Sequence, residues 1–330
     1  MQLEEVAFDF ELDRVVDAIE DEGLEEVALQ FPQGLKRRAT AVVAELRDRT
    51  DGVRFYVSGE PCFGACDLDE FLLKRTDKLV HFGHSPIRDS DRVLYVEAQS
   101  DAPVDAVLDE ALPLLDSDEP LCLVTTAQHG HVFDVALERL RDAGFDVVTD
   151  DGDERLDKEG QVLGCNYTSV IPEAPQVLYL GGGDFHPVGL AMDHPDKHLV
   201  VADPVNDEVR EIDGEDFVRQ RHAAIAKAQQ ADPDRWGVIL STKIGQRREN
   251  LAERLVDEYD DTYLITMDLL TPDRLLHFDA DAYVNTACPR ITTDDGPRFD
   301  DPVLTPMEFE VAIGERDWED LGFDTFHGAW

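Results

Sequence analysis

The sequence has few basic residues, and this scarcity limits the partners it can bind. Lysine and arginine number 30 in 330 residues, against 73 aspartate and glutamate residues, so the formal net charge is −43. Binding to the phosphates of nucleic acid depends on clustered lysine and arginine. The composition therefore predicts that nucleic acid is not a partner.

The sequence also lacks long hydrophobic runs and a recognisable leader. No stretch reaches the roughly 18 apolar residues of a membrane span, which predicts that the membrane is not a partner. The amino terminus, MQLEEVAFDFELD, is acidic and has neither the basic nor the apolar region of a secretory signal. We therefore expect a cytoplasmic protein, in which cysteine serves metal binding or catalysis rather than disulfide bonding.

The acidic residues that replace the missing basic ones are spread over the whole chain, as in DFELDRVVDAIEDEGLEE and DDGDERLDKEG. An interaction tail would instead concentrate them in one block. In about 1 M salt the Debye length falls to about 3 Å, so the repulsion within such a surface is screened. The pattern predicts a halophilic protein, with an acidic surface for a basic partner as the alternative.

A threefold repeat organises the chain. Three segments share the order helix, apolar strand, glutamine-bearing loop, amphipathic helix and second strand, and their first strands are VALQF, LCLVTT and WGVILST. Continuous apolar runs are typical of parallel strands covered on both faces. A third strand follows in each segment, and a fourth follows in the first two, RVLYVEAQ and KHLVVADP.

The repeat length of roughly 100 residues indicates small domains rather than a solenoid. We predict an α/β protein of three pseudo-threefold-related domains, each a small parallel sheet with flanking helices. The predicted units are residues 1–102, 103–205 and 206–330. Gln33, Gln128 and Gln246 each follow the first strand of a unit, where parallel sheets bind ligands. As a set they favour ligand binding, and helix capping is the alternative for each one.

Three of the five cysteines are distributed one to a unit. Cys66 lies in GEPCFGACDLDE, Cys165 in LGCNYTS and Cys288 in NTACPR, each expected on the carboxyl side of its sheet. If the units close around an axis, the three thiolates converge. Three thiolates suit a [4Fe–4S] cluster with one iron left open for a substrate.

The other two cysteines have different readings. Cys122 lies inside the strand LCLVTT and is expected in the core, whereas Cys62 forms C-x₃-C with Cys66 and has no clear role. No third cysteine completes the C-x₃-C-x₂-C set of ordinary radical S-adenosylmethionine enzymes. Zinc is the rival metal, but the paired C-x₂-C ligands of many zinc sites are missing.

At GACDLDE, GHSP, TTAQH, LGCN, STKIGQ and NTACPRI the sequence resembles the archaeal first-step enzymes of diphthamide synthesis, the 2-(3-amino-3-carboxypropyl)histidine synthases. The resemblance covers nearly the whole chain. It implies a homodimer whose protomers each hold one [4Fe–4S] cluster through Cys66, Cys165 and Cys288. GEPCFGAC departs from the commoner family pattern through its extra cysteine, which leaves a swap between Cys62 and Cys66 open.

The resemblance also implies the reaction. The open iron binds S-adenosylmethionine, an electron donor reduces the cluster, and the bond from sulfur to the methionine Cγ breaks. The 3-amino-3-carboxypropyl group passes to a histidine of translation elongation factor 2, and methylthioadenosine is released. The protein contributes the cluster ligands, orients the reactants and excludes side reactions.

Further cofactor contacts are expected from loops that follow strands. The glycine-rich loop Gly181, Gly182, Gly183 and Asp184 offers backbone N–H groups to a ligand, with a tight turn as the alternative. Another candidate is His84 of GHSP, with a hydrogen-bonded structural histidine as the alternative. Lys243 and Gln246 of STKIGQ are candidates too, with a solvated loop as the alternative. Arg290 and Asp294, which follow Cys288, are expected to support the cluster from outside its ligands, with surface positions as the alternative.

Two rival functions remain at this stage. A quinolinate-synthase-like dehydratase would also hold one cluster through three cysteines, with the open iron as a Lewis acid. A non-catalytic iron–sulfur scaffold or redox sensor would need no ligand cleft. Binding of S-adenosylmethionine, of dicarboxylic acids, or of neither separates the three readings.

Overall fold

The computed structural model describes residues 8–86 and 90–327. The ends of the predicted first and third units, at 1–7 and 328–330, and residues 87–89 lie outside the described residues. The first unit contains β1 (Phe8–Asp9), α1 (Leu12–Glu22), β2 (Glu26–Gln30), α2 (Ala39–Arg49), β3 (Arg54–Val57), α3 (Glu70–Arg75), β4 (Lys78–Phe82), β5 (Val93–Val96) and β6 (Gln99–Ser100). The second contains α4 (Asp105–Ala111), β7 (Leu121–Thr125), α5 (Phe133–Asp142), β8 (Val147–Val148), β9 (Gln176–Leu180), α6 (Phe185–Asp193), β10 (His198–Asp203) and β11 (Glu208–Ile212). The third contains α7 (Gly214–Ala231), β12 (Trp236–Ser241), α8 (Glu249–Glu258), β13 (Thr262–Met267), α9 (Pro272–Leu275), β14 (Ala282–Asn285), α10 (Pro289–Asp294), β15 (Val303–Leu304) and α11 (Pro306–Ala312).

One strand order recurs in all three sheets. The orders are β3-β2-β4-β5, β8-β7-β9-β10 and β13-β12-β14-β15, so the first strand of each unit lies between the second and the third. All of these pairings are parallel. The predicted α/β class with small parallel sheets is confirmed, and β15 gives the third unit a fourth strand that the sequence pattern missed.

Two pairings depart from the sequence-based expectation. β11 pairs antiparallel with the edge of β10, so the second sheet continues past the predicted boundary at 205/206. Its partly buried pattern is that of an edge strand, which the search for continuous apolar runs did not detect. β1 and β6 form a separate two-stranded antiparallel ribbon.

The elements follow from their local sequences. The central strands β2, β7, β9 and β12 are almost entirely buried, as expected for strands with helices on both faces. In α1 the buried residues Val15, Val16 and Ile19 form one face, and Gly23 ends the helix with a φ of 64°. Thr305 and Glu308 form a reciprocal capping box at the start of α11.

The apolar core is divided among the sheets, so each unit buries its own helices against its own strands. No helix among residues 8–86 and 90–327 is long and apolar enough to cross a membrane. Both apolar and polar contacts join the units. Gln161 donates to Ser85 Oγ at 2.9 Å, and Lys243 pairs with Asp67 at 2.6 Å. These contacts lie in loops after strands, so the units meet at the carboxyl ends of their sheets.

Candidate metal centre

A cavity of about 630 Å³ lies where the three units meet. Its wall includes Cys66 from the first unit, Cys165 from the second and Cys288 from the third. Its volume lies within the range of roughly 300–1,000 Å³ that is usual for small-molecule sites. The structure therefore brings one cysteine from each predicted unit to a single site.

Cys66 lies in the loop between β3 and α3 and is held from the third unit. Its carbonyl oxygen accepts a hydrogen bond from the Gly245 N–H at 3.2 Å. Its Sγ lies 3.3 Å from Nε2 of Gln246, which donates to the sulfur. The loop after β12 thus fixes both the backbone and the side chain of Cys66.

Cys165 lies in the long segment between β8 and β9 and is held by the chain's carboxyl-terminal region. Its carbonyl accepts from the Phe326 N–H at 2.8 Å. The neighbouring Asn166 is fully buried, and its Nδ2 donates to the Phe326 carbonyl at 2.7 Å. This two-way pairing joins the segment around Phe326 to the segment that carries Cys165.

Cys288 immediately precedes α10. Its carbonyl accepts from the side chain of Asn285 at 2.9 Å and from the Ile291 N–H at 3.1 Å. Asn285 is fully buried and also donates to Thr292 at 2.9 Å, so the turn from β14 into α10 is rigidly held. The thiol therefore has a fixed backbone from which to reach the cavity.

All three cysteines are free thiols with perturbed acidity. Burial raises the pKa of Cys165 to about 12, and the nearby Cys66 raises it further. Burial also raises the pKa of Cys288 and of Cys66, and the other two cysteines raise that of Cys288. Three half-buried thiols that resist ionisation in one another's presence need a cationic group to become thiolates.

Positively charged side chains lie close to these thiols, although the chain has few such residues. Arg155 and Arg248 lower the pKa of Cys165, Lys243 lowers that of Cys66, and Arg290 lowers that of Cys288. Although Lys243, Arg248 and Arg290 also pair with carboxylates, these cations favour the thiolate form of the cysteines. The donor set of three thiols fits a thiolate-bound iron–sulfur cluster.

Four further candidates from the sequence lie on the cavity wall: His84, Gln128, Lys243 and Gln246. Lys243 is paired with Asp67, and Gln128 donates to the carbonyl of Gly83. Gly83 has a φ of 85°, and an added Cβ there would lie 2.7 Å from Pro32. The turn before His84 therefore depends on glycine.

Two candidate groups lie elsewhere. Gln33 is exposed and outside the cavity wall, because the turn after β2 points Leu35 into the core instead. The loop Gly181–Asp184 is also outside the wall, although Phe185 and His186 belong to it. The structure therefore does not bring either group to the cavity wall. The Gly183 N–H donates to the buried Asp203 carboxylate at 2.8 Å, and Asp184 binds Arg210 at 2.6 Å, so the loop's polar groups serve the fold.

Some residues that contact the site lie outside the sequence motifs and were not predicted. Gln30, inside β2, is buried and binds the Asp67 carbonyl at 2.7 Å. Arg155 lies close enough to Cys165 to lower its pKa, and Phe326 packs 4.1 Å from the guanidinium carbon of Arg248. A polar residue inside an apolar strand was the available signal for Gln30. Arg155 lay in an acidic loop and gave no signal.

The residues after Cys288 form a buried ionic group. Arg290 pairs with Asp294 at 2.9 Å and donates to the Phe185 carbonyl at 2.5 Å. Its guanidinium lies 4.4 Å from the centre of the Phe185 ring. Arg290 therefore links α10 to the start of α6 beside the cavity.

Cys122 is fully buried in β7, where the sequence placed it.

Comparison with known proteins agrees with this arrangement. Residues 31–322 match the family model described as a diphthamide synthesis protein. The chain belongs to the diphthamide synthesis protein family. A 2-(3-amino-3-carboxypropyl)histidine synthase of Pyrococcus horikoshii is 36% identical over 316 residues, with 93% of this chain and 90% of the relative covered. Subunit 1 of the human synthase is 30% identical, with 94% of this chain and 73% of the relative covered.

A solved member of the family has the same fold. The crystal structure of Dph2 from Pyrococcus horikoshii with a 4Fe-4S cluster superposes with a TM-score of 0.87 at 34% identity. The match covers 97% of this chain and 95% of that one. The shared diphthamide family membership favours the resemblance stated above over the dehydratase reading.

Proposed function

We propose that this chain is a 2-(3-amino-3-carboxypropyl)histidine synthase, a transferase of the first step of diphthamide biosynthesis. It moves the 3-amino-3-carboxypropyl group of S-adenosylmethionine to a histidine of translation elongation factor 2. The observation that carries the proposal is the meeting of three free thiols, one from each unit, at one cavity of a diphthamide-family chain. The relative from Pyrococcus horikoshii was crystallised with a 4Fe-4S cluster.

The proposed ligands of a [4Fe–4S] cluster are Cys66, Cys165 and Cys288. Three ligands leave one iron open. When bound and reduced, the cluster supplies the electron that breaks the sulfur–Cγ bond of S-adenosylmethionine. The surrounding arginines and Lys243 offset the negative charge of the thiolates, and the hydrogen bond from Gln246 to Cys66 reduces charge on one sulfur.

The chain's own residues provide the binding space for S-adenosylmethionine. We assign its contacts to His84, Gln128, Lys243 and Gln246, which share the cavity wall with the cysteines. Lys243 is a single positive charge near a site that must accept the methionine carboxylate. Phe63 and Phe185, both on the wall, offer apolar faces that exclude water.

The division into three units is part of the proposal. The common strand order supports it, with the second boundary moved past Ile212 because β11 completes the second sheet. We also propose a homodimer, an external electron donor and a cytoplasmic location. Exposed apolar side chains on and after the edge strand β13 support association with another copy: Tyr263, Leu264, Leu276 and Phe278.

The test is the identity of the cleavage product. The reduced, anaerobically prepared protein is incubated with S-adenosylmethionine, and methylthioadenosine is expected rather than 5′-deoxyadenosine. With elongation factor 2 added, one histidine should gain the mass of a 3-amino-3-carboxypropyl group on a single peptide. The Cys122→Ala protein serves as the matched control and should behave like the unmodified chain, because Cys122 lies in the core of β7.

Release of 5′-deoxyadenosine as the main product would contradict the proposal. So would an unmodified elongation factor 2 in the presence of an intact, reduced cluster. Binding of dicarboxylic acids in place of S-adenosylmethionine would restore the dehydratase reading.

A further inference from the structure

A second group of metal-ligand side chains lies beside the cavity. Cys62, His81 and His84 each offer a ligand atom, and the three atoms lie within 4.8 Å of one another. Cys62 and His81 are buried, and His84 is half-buried on the cavity wall. None of the three is among the proposed cluster ligands, so the group needs its own explanation.

The hydrogen bonds around His81 determine where its lone pair points. Gln30 donates through Nε2 to the Asp67 carbonyl at 2.7 Å, and its Oε1 accepts from the Asp69 N–H at 3.3 Å. The same Oε1 lies 3.0 Å from His81 Nδ1, so Nδ1 must be the donor. His81 Nε2 is then unprotonated, and it faces His84 Nδ1 at 2.9 Å.

This arrangement is the one that metal-bound histidines commonly show. A ligand histidine usually donates its other ring N–H to an oxygen that fixes its tautomer and orientation. Burial lowers the pKa of His81 and brings that of His84 to about 4, so both rings are neutral at neutral pH, as metal ligands must be. A buried cysteine completes a set of two nitrogens and one sulfur.

We propose that Cys62 Sγ, His81 Nε2 and His84 Nδ1 form a mononuclear zinc site separate from the cluster. A Cys–His₂ set with borderline-soft ligands suits Zn²⁺, which needs only a fourth ligand to become tetrahedral. Of the three, only His84 is on the cavity wall, so the cavity is the open side from which a fourth ligand can approach. A water molecule or a ligand in the cavity can occupy it.

Zinc binding requires one deprotonation, at Cys62, and one change of tautomer, at His84. Cys62 loses its thiol proton to solvent and binds as thiolate, which the cation makes possible despite burial. His84 moves its proton from Nδ1 to Nε2 and stays neutral. Usual zinc bond lengths place the two nitrogens about 3.3 Å apart and the sulfur about 3.6 Å from each. The present nitrogen spacing of 2.9 Å therefore has to widen slightly.

The proposed zinc would tie the Cys66 loop to the first sheet. Cys62 lies four positions before Cys66, whereas His81 belongs to the central part of the sheet in β4. The Gly64 position also lies against the Cys66 sulfur, where an added Cβ would be 3.2 Å from Sγ. A metal at Cys62 would thus hold the turn that presents one cluster ligand.

The test is zinc and iron analysis of the full chain purified anaerobically, followed by zinc-edge X-ray absorption spectroscopy. We expect about one zinc per chain, with one sulfur at about 2.3 Å and two nitrogens at about 2.0–2.1 Å. Cys62→Ser and His84→Asn should each lose the zinc and keep the iron. Cys66→Ala should lose the iron and keep the zinc, which separates this site from the cluster.

The matched control is Cys122→Ser, another buried cysteine, which should keep both metals. The proposal is overturned if the folded protein holds no zinc after growth with zinc supplied. It is also overturned if Cys62→Ser and His84→Asn both keep the zinc, or if Cys62→Ser loses the iron and keeps the zinc, as a variant of a cluster ligand would. Because zinc content does not depend on transferase activity, failure here leaves the proposed function standing.

Discussion

The ion pair between Lys243 and Asp67 joins the third unit to the first beside the cavity. Its nitrogen and oxygen are 2.6 Å apart, and the two side chains are only 13% and 9% exposed. Lys243→Met keeps much of the apolar stem and removes the charge. It should reduce the free energy of unfolding by about 3 kcal/mol, because an unpaired carboxylate remains largely buried.

The matched control is an exposed pair in the same protein. Lys74 pairs with Glu70 at 2.8 Å, but Lys74 is 76% exposed. Lys74→Met should change the unfolding free energy by no more than about 0.5 kcal/mol. Both variants are measured without the cluster, by urea unfolding in molar KCl followed through fluorescence of the buried Trp236.

A double-mutant cycle isolates the interaction. Asp67→Asn alone leaves Lys243 without its partner, whereas the double variant K243M/D67N leaves no buried charge. We expect a coupling energy of about 2 kcal/mol, within the range for contacting residues. If the two single losses add to the double loss within about 0.5 kcal/mol, the pair is not coupled and the reasoning is refuted.

The same variant predicts a pH dependence. Burial raises the pKa of Asp67 above its usual 3.8, and Lys243 acts to lower it. Without Lys243 the folded-state pKa should rise further, so Asp67 takes up a proton on folding. Stability of Lys243→Met should therefore fall as pH rises from about 4 through that raised pKa, relative to the unmodified chain. An unchanged pH profile would contradict the assignment of burial as the cause.

The remaining predictions concern the cluster, the surface and one packed glycine. The anaerobically purified protein should carry about four irons per chain by metal analysis, and single alanine variants should lose them at Cys66, Cys165 and Cys288 but not at Cys122. The melting temperature should fall as KCl drops well below about 1 M, because the charge of −43 then repels over a longer range, and a constant value would contradict the halophile reading. Gly189→Ala places a Cβ 1.9 Å from the Tyr167 hydroxyl and 2.1 Å from Arg290, so its unfolding free energy should drop by about 1–3 kcal/mol in urea titrations. A stability equal to that of the unmodified chain would show that α6 can move away from both side chains.

The apolar strands were readable from sequence because each central strand buries both faces. VALQF, LCLVTT and WGVILST correspond to β2, β7 and β12, and the expected parallel pairing follows in each unit. Edge strands carry less apolar signal, so β11 and the two-residue β15 were not anticipated. The fold class could therefore be predicted from the sequence, but the limits of the second sheet could not.

The site was only partly accessible. A cysteine in each repeat predicted that Cys66, Cys165 and Cys288 would share a site, and the structure places all three on one cavity wall. Position after a strand was a weaker guide, because Gln33 and the Gly181–Asp184 loop follow strands without reaching the cavity. The direction of a loop depends on which of its side chains packs in the core. In the turn after β2 that side chain is Leu35 rather than Gln33.

The sequence by itself determined the repeat, the acidic surface and the supply of one thiol per unit, because these properties depend on residue type and spacing along the chain. Only the tertiary structure decided which polar groups meet. Gln30 reaches His81 across neighbouring strands, and Phe326 returns to Cys165 from the far end of the chain. Such contacts form between residues far apart in sequence, once the sheets are packed and their carboxyl ends face one another. The charge around the thiols and the Cys62–His81–His84 group were therefore visible only in three dimensions.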